Sequence, residues 1–253
     1  MDLPALFLYD HLRDLAAQLP PGAPPAVEQF DAAAERLGRP RGPSGLPIRF
    51  CSEVDPAPYE ARIAQAGVVH TRADSWHDAF HALIWLAFPR AKAELTARHL
   101  RHDRGPGTAR GALRDAAAQF DEDGVLVLCA DAELAQLLQQ RRWVEAFWDR
   151  RARMTTELRC VVFGHALLDK LRAPFFGLCG RALYVEIEPA VLACNPGELR
   201  NYCDTWLAAK LAGEDFLCTP RALAPLPLLG LPGMGANTRD YFLDTRQFRP
   251  PRT

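Results

Sequence analysis

Apolar positions change their spacing along the chain, and each change of period predicts an element. Leu6, Leu12, Leu15 and Leu19 recur about one turn apart, predicting a helix over 4–18 that PPGAPP at 20–25 ends. A second helix over 26–37 stops at Gly38. PIRFC, 47–51, suits a short strand, and PYEARIAQAG, 58–67, a short helix closed by Gly67. In SWHDAFHALIWLAFPRAKAELTARHL, 75–100, Ser75 and Asp78 form a capping box that starts a helix at Trp76. That helix is apolar nearly all round, so it is buried. Pro89 disfavours helical geometry at Phe88 and opens the next helix, to about Arg101. HDRGPGTARG, 102–111, is a loop.

ALRDAAAQF, DEDG and VLVLC, 112–129, predict a β-hairpin around a glycine-ended turn, although the alanines of the first arm equally suit a helix. Asp131 caps a long helix from Ala132 to Arg150, and another covers Thr156 to Leu171. RALYVEIE, 181–188, is a strand, and Asn195, Pro196 and Glu198 open a helix to about Ala212. The fold class expected is α+β: one predominantly helical domain, 1–253, with a small hairpin-containing sheet. Residues 1–45 form a helical N-terminal extension packed on it, and 222–253 an extended Pro/Gly-rich segment over its surface.

Composition narrows the function classes. Apolar residues make up 49% of 253 and charged residues 24%, a balance that supports a sizeable core and excludes wholesale disorder. The formal net charge of -1 provides no global pull toward nucleic acid or anionic membrane. No segment reaches the length of a membrane span, and Asp2 stands where a signal peptide carries positive charge, so a cytoplasmic location is expected. Seven cysteines, none spaced C-x-x-C, suit free thiols in a reducing compartment.

Three groups could carry chemistry. His77 and His81 are one turn apart, a spacing zinc sites use, but Asp78 stands where H-E-x-x-H requires glutamate. His165 and Asp169 are also one turn apart, so the carboxylate could fix the imidazole tautomer, and Gly164 beside them signals a close approach. Arg114, Asp115, Asp121 and Glu122 flank the predicted turn; paired acids there hold Mg²⁺ or Ca²⁺, or simply solvate it. Two basic groups have plainer readings. Arg98, His99, Arg101, His102 and Arg104 suit an anion or an exposed helix end. Arg141, Arg142, Arg150, Arg151 and Arg153 interleave with Trp143, Phe147 and Trp148, a mixture that suits RNA or single-stranded DNA in principle, but the net charge of -1 and the lack of a recognisable nucleic-acid module count against it. Phosphate loop, G-x-S-x-G elbow and dinucleotide fingerprint are absent.

WHDAFHALIWLAFPRAKAELTARH, FGHALLDKLRAP, RDAAAQFDEDGVLV and the C-terminal PLPLLGLPGMGAN and FLDTRQFRP occur in this order. Together they resemble domain of unknown function 3025, a mainly proteobacterial family, from about residue 45 to the end. The resemblance brings no activity. It implies an asparagine at the positions of His81 and Thr96, which counts against His81 as a zinc ligand, and it matches His77, Asp78, Arg90, Lys92, His99, Arg114, Asp115 and His165.

The leading expectation is a hydrolase acting on a phosphate ester or nucleic acid, with a divalent metal, zinc or magnesium. His77, Asp78, His165 and Asp169 would be catalytic. Arg90, Lys92, Arg114 and Trp76 would hold a small-molecule or phosphate-containing substrate, and His77, His99 and Asp115 the metal. The alternatives are a non-catalytic small-ligand module and a protein-binding module docking through the Pro-rich C-terminal stretch. All site readings require distant imidazoles to meet around one cavity.

Overall fold

The computed structural model describes residues 1–54, 57–103 and 111–251. In chain order the regular elements are α1 (Arg13–Ala16), α2 (Val27–Leu37), β1 (Arg49–Cys51), α3 (Tyr59–Ala66), β2 (Val68–His70), α4 (Trp76–Ala87), α5 (Pro89–Arg101) and α6 (Ala112–Asp123). They continue with β3 (Gly124–Cys129), α7 (Ala132–Gln139), α8 (Arg151–Thr156), β4 (Leu158–Val162), α9 (His165–Lys170), β5 (Cys179–Glu186), α10 (Pro196–Ala212) and β6 (Ala224–Pro227). The fold is α+β and helix-dominated. One four-stranded sheet has the order β4-β3-β5-β6, and β1 and β2 form a separate parallel pair.

β3 is the axis of the larger sheet. Its run GVLVLC is buried at every position, as expected of a strand covered on both faces. It pairs antiparallel with β4 (Val127 opposite Cys160) and parallel with β5 (Val127 opposite Tyr184). β6 closes the far edge antiparallel to β5, and its Pro225 and Pro227 sit where an edge strand tolerates missing donors.

The capping signals work locally as expected. Ser75 Oγ accepts from the Asp78 amide, Pro89 opens α5, and Asn195 and Glu198 form a reciprocal capping box on α10. The apolar α4 packs Phe80, Leu83, Ile84 and Trp85 at 0% exposure.

Four readings need correction. The first arm of the expected hairpin is helix α6, which runs directly into β3 without a turn. Ala116, Ala117 and Phe120 give that helix a buried face, and the antiparallel partner of β3 lies 29 residues beyond it in the chain. The helix expected over 132–150 ends at Gln139, because Arg141 turns left-handed (φ 58°). One π-turn (Glu145–Asp149) and α8 follow, registered by Phe147 packing between Trp143, Phe242 and Phe248. The helix expected over 156–171 is instead strand β4, then α9; a continuous apolar run does not distinguish strand from buried helix. The loop expected over 102–111 lies mostly outside the described residues. The basic end of α5 is not wholly exposed either. Arg98 is wholly buried and donates to the carbonyls of Leu211 (3.1 Å), Gly213 (2.9 Å) and Phe216, while Arg101 and His102 pair with Glu214. Arg104 lies outside the described residues.

The seven cysteines are free thiols. No helix of the described residues is long and apolar enough to cross a membrane.

The N-terminal residues are tied to the sheet and α9 by two polar contacts. Tyr9 donates to the Leu168 carbonyl (2.6 Å), and His11 Nε2 donates to the Val162 carbonyl (2.9 Å). Burial lowers the His11 pKa to about 4, from 6.5 when free. His11 is therefore neutral in the fold and takes up a proton on unfolding below pH 6.5. The unfolded state then binds more protons, so stability is full above pH 6.5 and falls as pH drops toward 4. The loss expected from His11 is about 3 kcal/mol, at ~1.4 kcal/mol per unit. His11→Gln keeps a donor and should flatten the difference between urea midpoints at about pH 7 and about pH 4; an unchanged difference would assign the acid sensitivity elsewhere.

Candidate metal centre

α4, α5, α6, α9, β2 and α3 surround one cavity of about 420 Å³. Five of the chain's seven histidines line it: His70, His77, His81, His99 and His165. Tyr59, Glu60, Arg72, Asp78, Asp121 and Glu122 complete the polar lining. Imidazoles 95 residues apart in the chain thus meet.

Local structure explains the meeting. His77 and His81 project one turn apart from α4. Ala118, Asp121 and Glu122 share a face of α6 at i, i+3 and i+4. His165 is the first residue of α9, placed by Gly164. A Cβ on Gly164 would lie 2.4 Å from the Gly124 nitrogen and 2.5 Å from the Glu122 carbonyl oxygen. The missing side chain therefore lets the start of α9 rest on the backbone where α6 becomes β3.

The geometry centres on Glu122. Its Oε2 is 3.4 Å from His77 Nε2 and 3.6 Å from His165 Nε2. The His77 and His165 rings stand 4.6 Å apart, nearly perpendicular. Ligand atoms about 2.1 Å from a tetrahedral ion are about 3.4 Å from one another, so the two distances to Glu122 match ligand–ligand edges, and the third edge of the triad lies within 4.8 Å. His77 Nδ1 faces Asp78 Oδ1 at 3.2 Å, the carboxylate support that fixes the tautomer of a metal-bound histidine. Asp78 is held in turn by the Arg72 amide (2.7 Å) and guanidinium (2.8 Å). The buried His165 Nδ1 has no partner among the described residues. Glu122 and His77 remain 49% and 38% exposed at the side chain, so the cluster opens to solvent.

A second triad, His81, Asp121 and His165, also has its ligand atoms within 4.8 Å of one another. A cation of the chain already serves it. Buried Lys92 donates to Asp121 Oδ1 (2.6 Å) and His81 Nε2 (3.1 Å), and the Tyr59 hydroxyl lies 3.3 Å from the same nitrogen.

Charge follows this division. Hydrogen bonds to Asp78 and Glu122 raise the His77 pKa to about 9. Burial lowers His165, His99 and His81, and the Lys92 ammonium drives His81 further down. Burial alone would raise Asp121, but Lys92 and the two histidines outweigh it and hold the carboxyl well below its usual range. The hydrogen bond from His77 likewise lowers Glu122.

Among the residues expected at a site, His77, Asp78, His99, His165 and Lys92 are brought to or beside the cavity. Arg114 sits behind it, paired with Asp103 (2.8 Å). Asp115, on the first turn of α6, does not line the cavity, and His99 belongs to neither metal-capable triad. Asp169 pairs with Arg172 (3.1 Å), not with His165. Arg90 binds Asn201 and Thr205 across α10, and Trp76 is covered by the Arg172 guanidinium at 4.1 Å. The arginines of 142–153 are mostly spoken for. Arg142 pairs with Glu145, Arg150 with Glu133, and Arg153 with Asp131 and Glu133, while Trp143 is buried.

The hairpin expectation sets Asp121 and Glu122 on a turn, solvated or holding Mg²⁺ or Ca²⁺, apart from the histidines. The signal that could have moved them is their i+3, i+4 spacing from Ala118, visible once the segment is read as helical. His70 sits on a three-residue strand too short to show a period.

This is a helix-dominated α+β protein with a histidine–carboxylate cavity on one flank of its main sheet. The family model described as "Protein of unknown function (DUF3025)" matches residues 48–252, and the chain belongs to that family. No curated protein and no solved structure matches it.

Proposed function

We propose that the protein is a metal-dependent hydrolase that binds one divalent ion on His77, Glu122 and His165 and acts on a phosphate ester. The observation that carries this reading is the convergence of two imidazole Nε2 atoms on one carboxylate oxygen at ligand-edge distances, with Asp78 behind His77. Two nitrogens and one oxygen favour zinc over magnesium, which takes oxygen donors. Three protein ligands leave a position open for water or substrate, as catalytic zinc sites do, and the ion would supply Lewis acidity and a more acidic bound water. The rest falls to the chain: Asp78 orients His77, Lys92 balances the Asp121 carboxylate from its buried side, and the largely exposed Arg72 guanidinium on the cavity wall is the cation an anionic substrate group would meet. A cavity of about 420 Å³ suits a small molecule.

Elemental analysis of the full chain after zinc loading and gel filtration tests this. One zinc per chain is expected, with Glu122→Gln and His165→Ala losing at least ~100-fold in affinity, since even groups behind the ligands are worth 10–100-fold. Far-ultraviolet circular dichroism checks that both variants are folded. No retained metal, or equal retention by both folded variants, overturns the reading. What would remain is a metal-free small-ligand pocket, in which protonated His77 bridges Asp78 and Glu122.

A further inference from the structure

A groove of about 1400 Å³ lies on the other flank of α6. Gln119 and Asp123 line it, whereas Ala118, Asp121 and Glu122 line the metal-capable cavity. It runs along the β5–β6 edge, between the end of α7 and the C-terminal segment. Its charge is lopsided. Arg141, Arg181, Arg221, Arg246 and Arg249 face it against one acid, Asp123, which Lys170 already neutralises at 2.6 Å. Arg246 is matched by Asp244. Among the described residues, Arg141, Arg181, Arg221 and Arg249 have no carboxylate partner, and Arg141 reaches only the Pro250 carbonyl at 3.5 Å. In a chain of net charge -1, four unmatched guanidinium groups in one concavity are a local field that the total conceals.

Two further observations point to a ligand. Arg141 is held at φ 58°, the left-handed region that a helix end usually gives to glycine or asparagine. Unfavourable backbone of this kind clusters at functional sites, and here it presents a guanidinium to the groove. Phe175 and Phe176, beside groove residue Gly177, are 51% and 49% exposed, and the Arg246 guanidinium lies 5.3 Å from the Phe176 ring. Exposed ring faces beside guanidinium forks serve unstacked bases on a phosphate chain; an acidic peptide would use the forks but not the rings.

We propose that this groove binds single-stranded nucleic acid, with Arg141, Arg181, Arg221 and Arg249 on its phosphates and Phe175 and Phe176 against its bases. The geometry needs no element that enters a duplex groove. A bound strand and the metal-capable cavity would share helix α6, which lines the groove with Gln119 and Asp123 and the cavity with Ala118, Asp121 and Glu122. The inference stands independently of the metal reading.

Fluorescence anisotropy of the full chain with a labelled oligothymidylate of about 12 nucleotides tests it. Four phosphate contacts predict a log affinity that falls with log salt at a slope of about -3. Arg141→Gly relieves the backbone and keeps the fold, so its thermal midpoint should hold or rise. Its affinity should nevertheless fall about 3- to 10-fold and its slope become shallower by about 0.7. Phe176→Ala should weaken binding with little change in slope, and Glu122→Gln should bind as the parent does, which separates this outcome from failure of the metal site. Equal or tighter binding of the duplex, displacement by polyglutamate at equal charge, no binding at low salt, or an Arg141→Gly variant that binds normally would each overturn the proposal.

Discussion

Gly164→Ala is expected to destabilise the protein by on the order of 4 kcal/mol. The added carbon would stand 2.4 and 2.5 Å from backbone atoms of Gly124 and Glu122, and backbone in a strand start cannot swing aside as a side-chain tip can. The Gly124 carbonyl also accepts from both the Phe163 amide (3.0 Å) and the Gly164 amide (2.9 Å), so separating the segments breaks two hydrogen bonds inside the core. Gly213→Ala is the control: its new carbon meets only the Lys210 carbonyl at 3.6 Å, and a change within about 0.5 kcal/mol is expected. Urea unfolding of both variants decides the matter. Equal midpoints would mean that α9 does not rest on that junction, and His165 would then lack the support that brings it to Glu122.

Lys92→Met comes next, at about 3–5 kcal/mol near neutral pH. The lysine is 4% exposed at the side chain and is the closest counter-charge to Asp121. Methionine matches its length but leaves the Asp121 carboxylate without the ammonium that does most to balance it. Lys92→Met with Asp121→Asn should recover most of the loss, because the cost lies in the charge left alone and not in the missing contact. The deficit of the single variant should also shrink as pH falls and the carboxylate left without its ammonium takes up a proton. Single losses that simply add in the double variant would show that the two groups are uncoupled.

How much of this was legible in the sequence depended on whether a signal was local. Ser75 and Asp78, Pro89, and the Asn195–Glu198 box set helix starts through contacts within four residues, and those starts are observed. The class, α+β with more helix than strand, followed from them. Segments whose state is decided by distant partners were not legible in the same way. LRCVV is apolar enough for a buried helix and becomes β4 because β3 offers it a ladder. ALRDAAAQF, DEDG and VLVLC suit a hairpin through the glycine-ended turn, yet the alanines prefer helix and the antiparallel partner of β3 comes from farther along the chain. That one exchange separates Asp121 and Glu122 from the histidines, since acids on a turn face water or an ion of their own while the same residues on the last turn of α6 face His77, His81 and His165. His81 had been discounted because the family resemblance implies asparagine there; it is buried between Tyr59, Lys92 and His165.

The parallel pairing of β3 with β5 has a consequence during synthesis. Cys129 leaves the ribosome 50 residues before Cys179 opens β5, while the antiparallel partner β4 arrives sooner. At translation rates of about 5–20 residues per second, one edge of GVLVLC stays bare for roughly 3–10 s on the nascent chain. An uncharged, β-prone six-residue run in that state invites association with its own copies. Yield of native protein should therefore respond more to slower growth temperature and added chaperone than to any change on the finished surface.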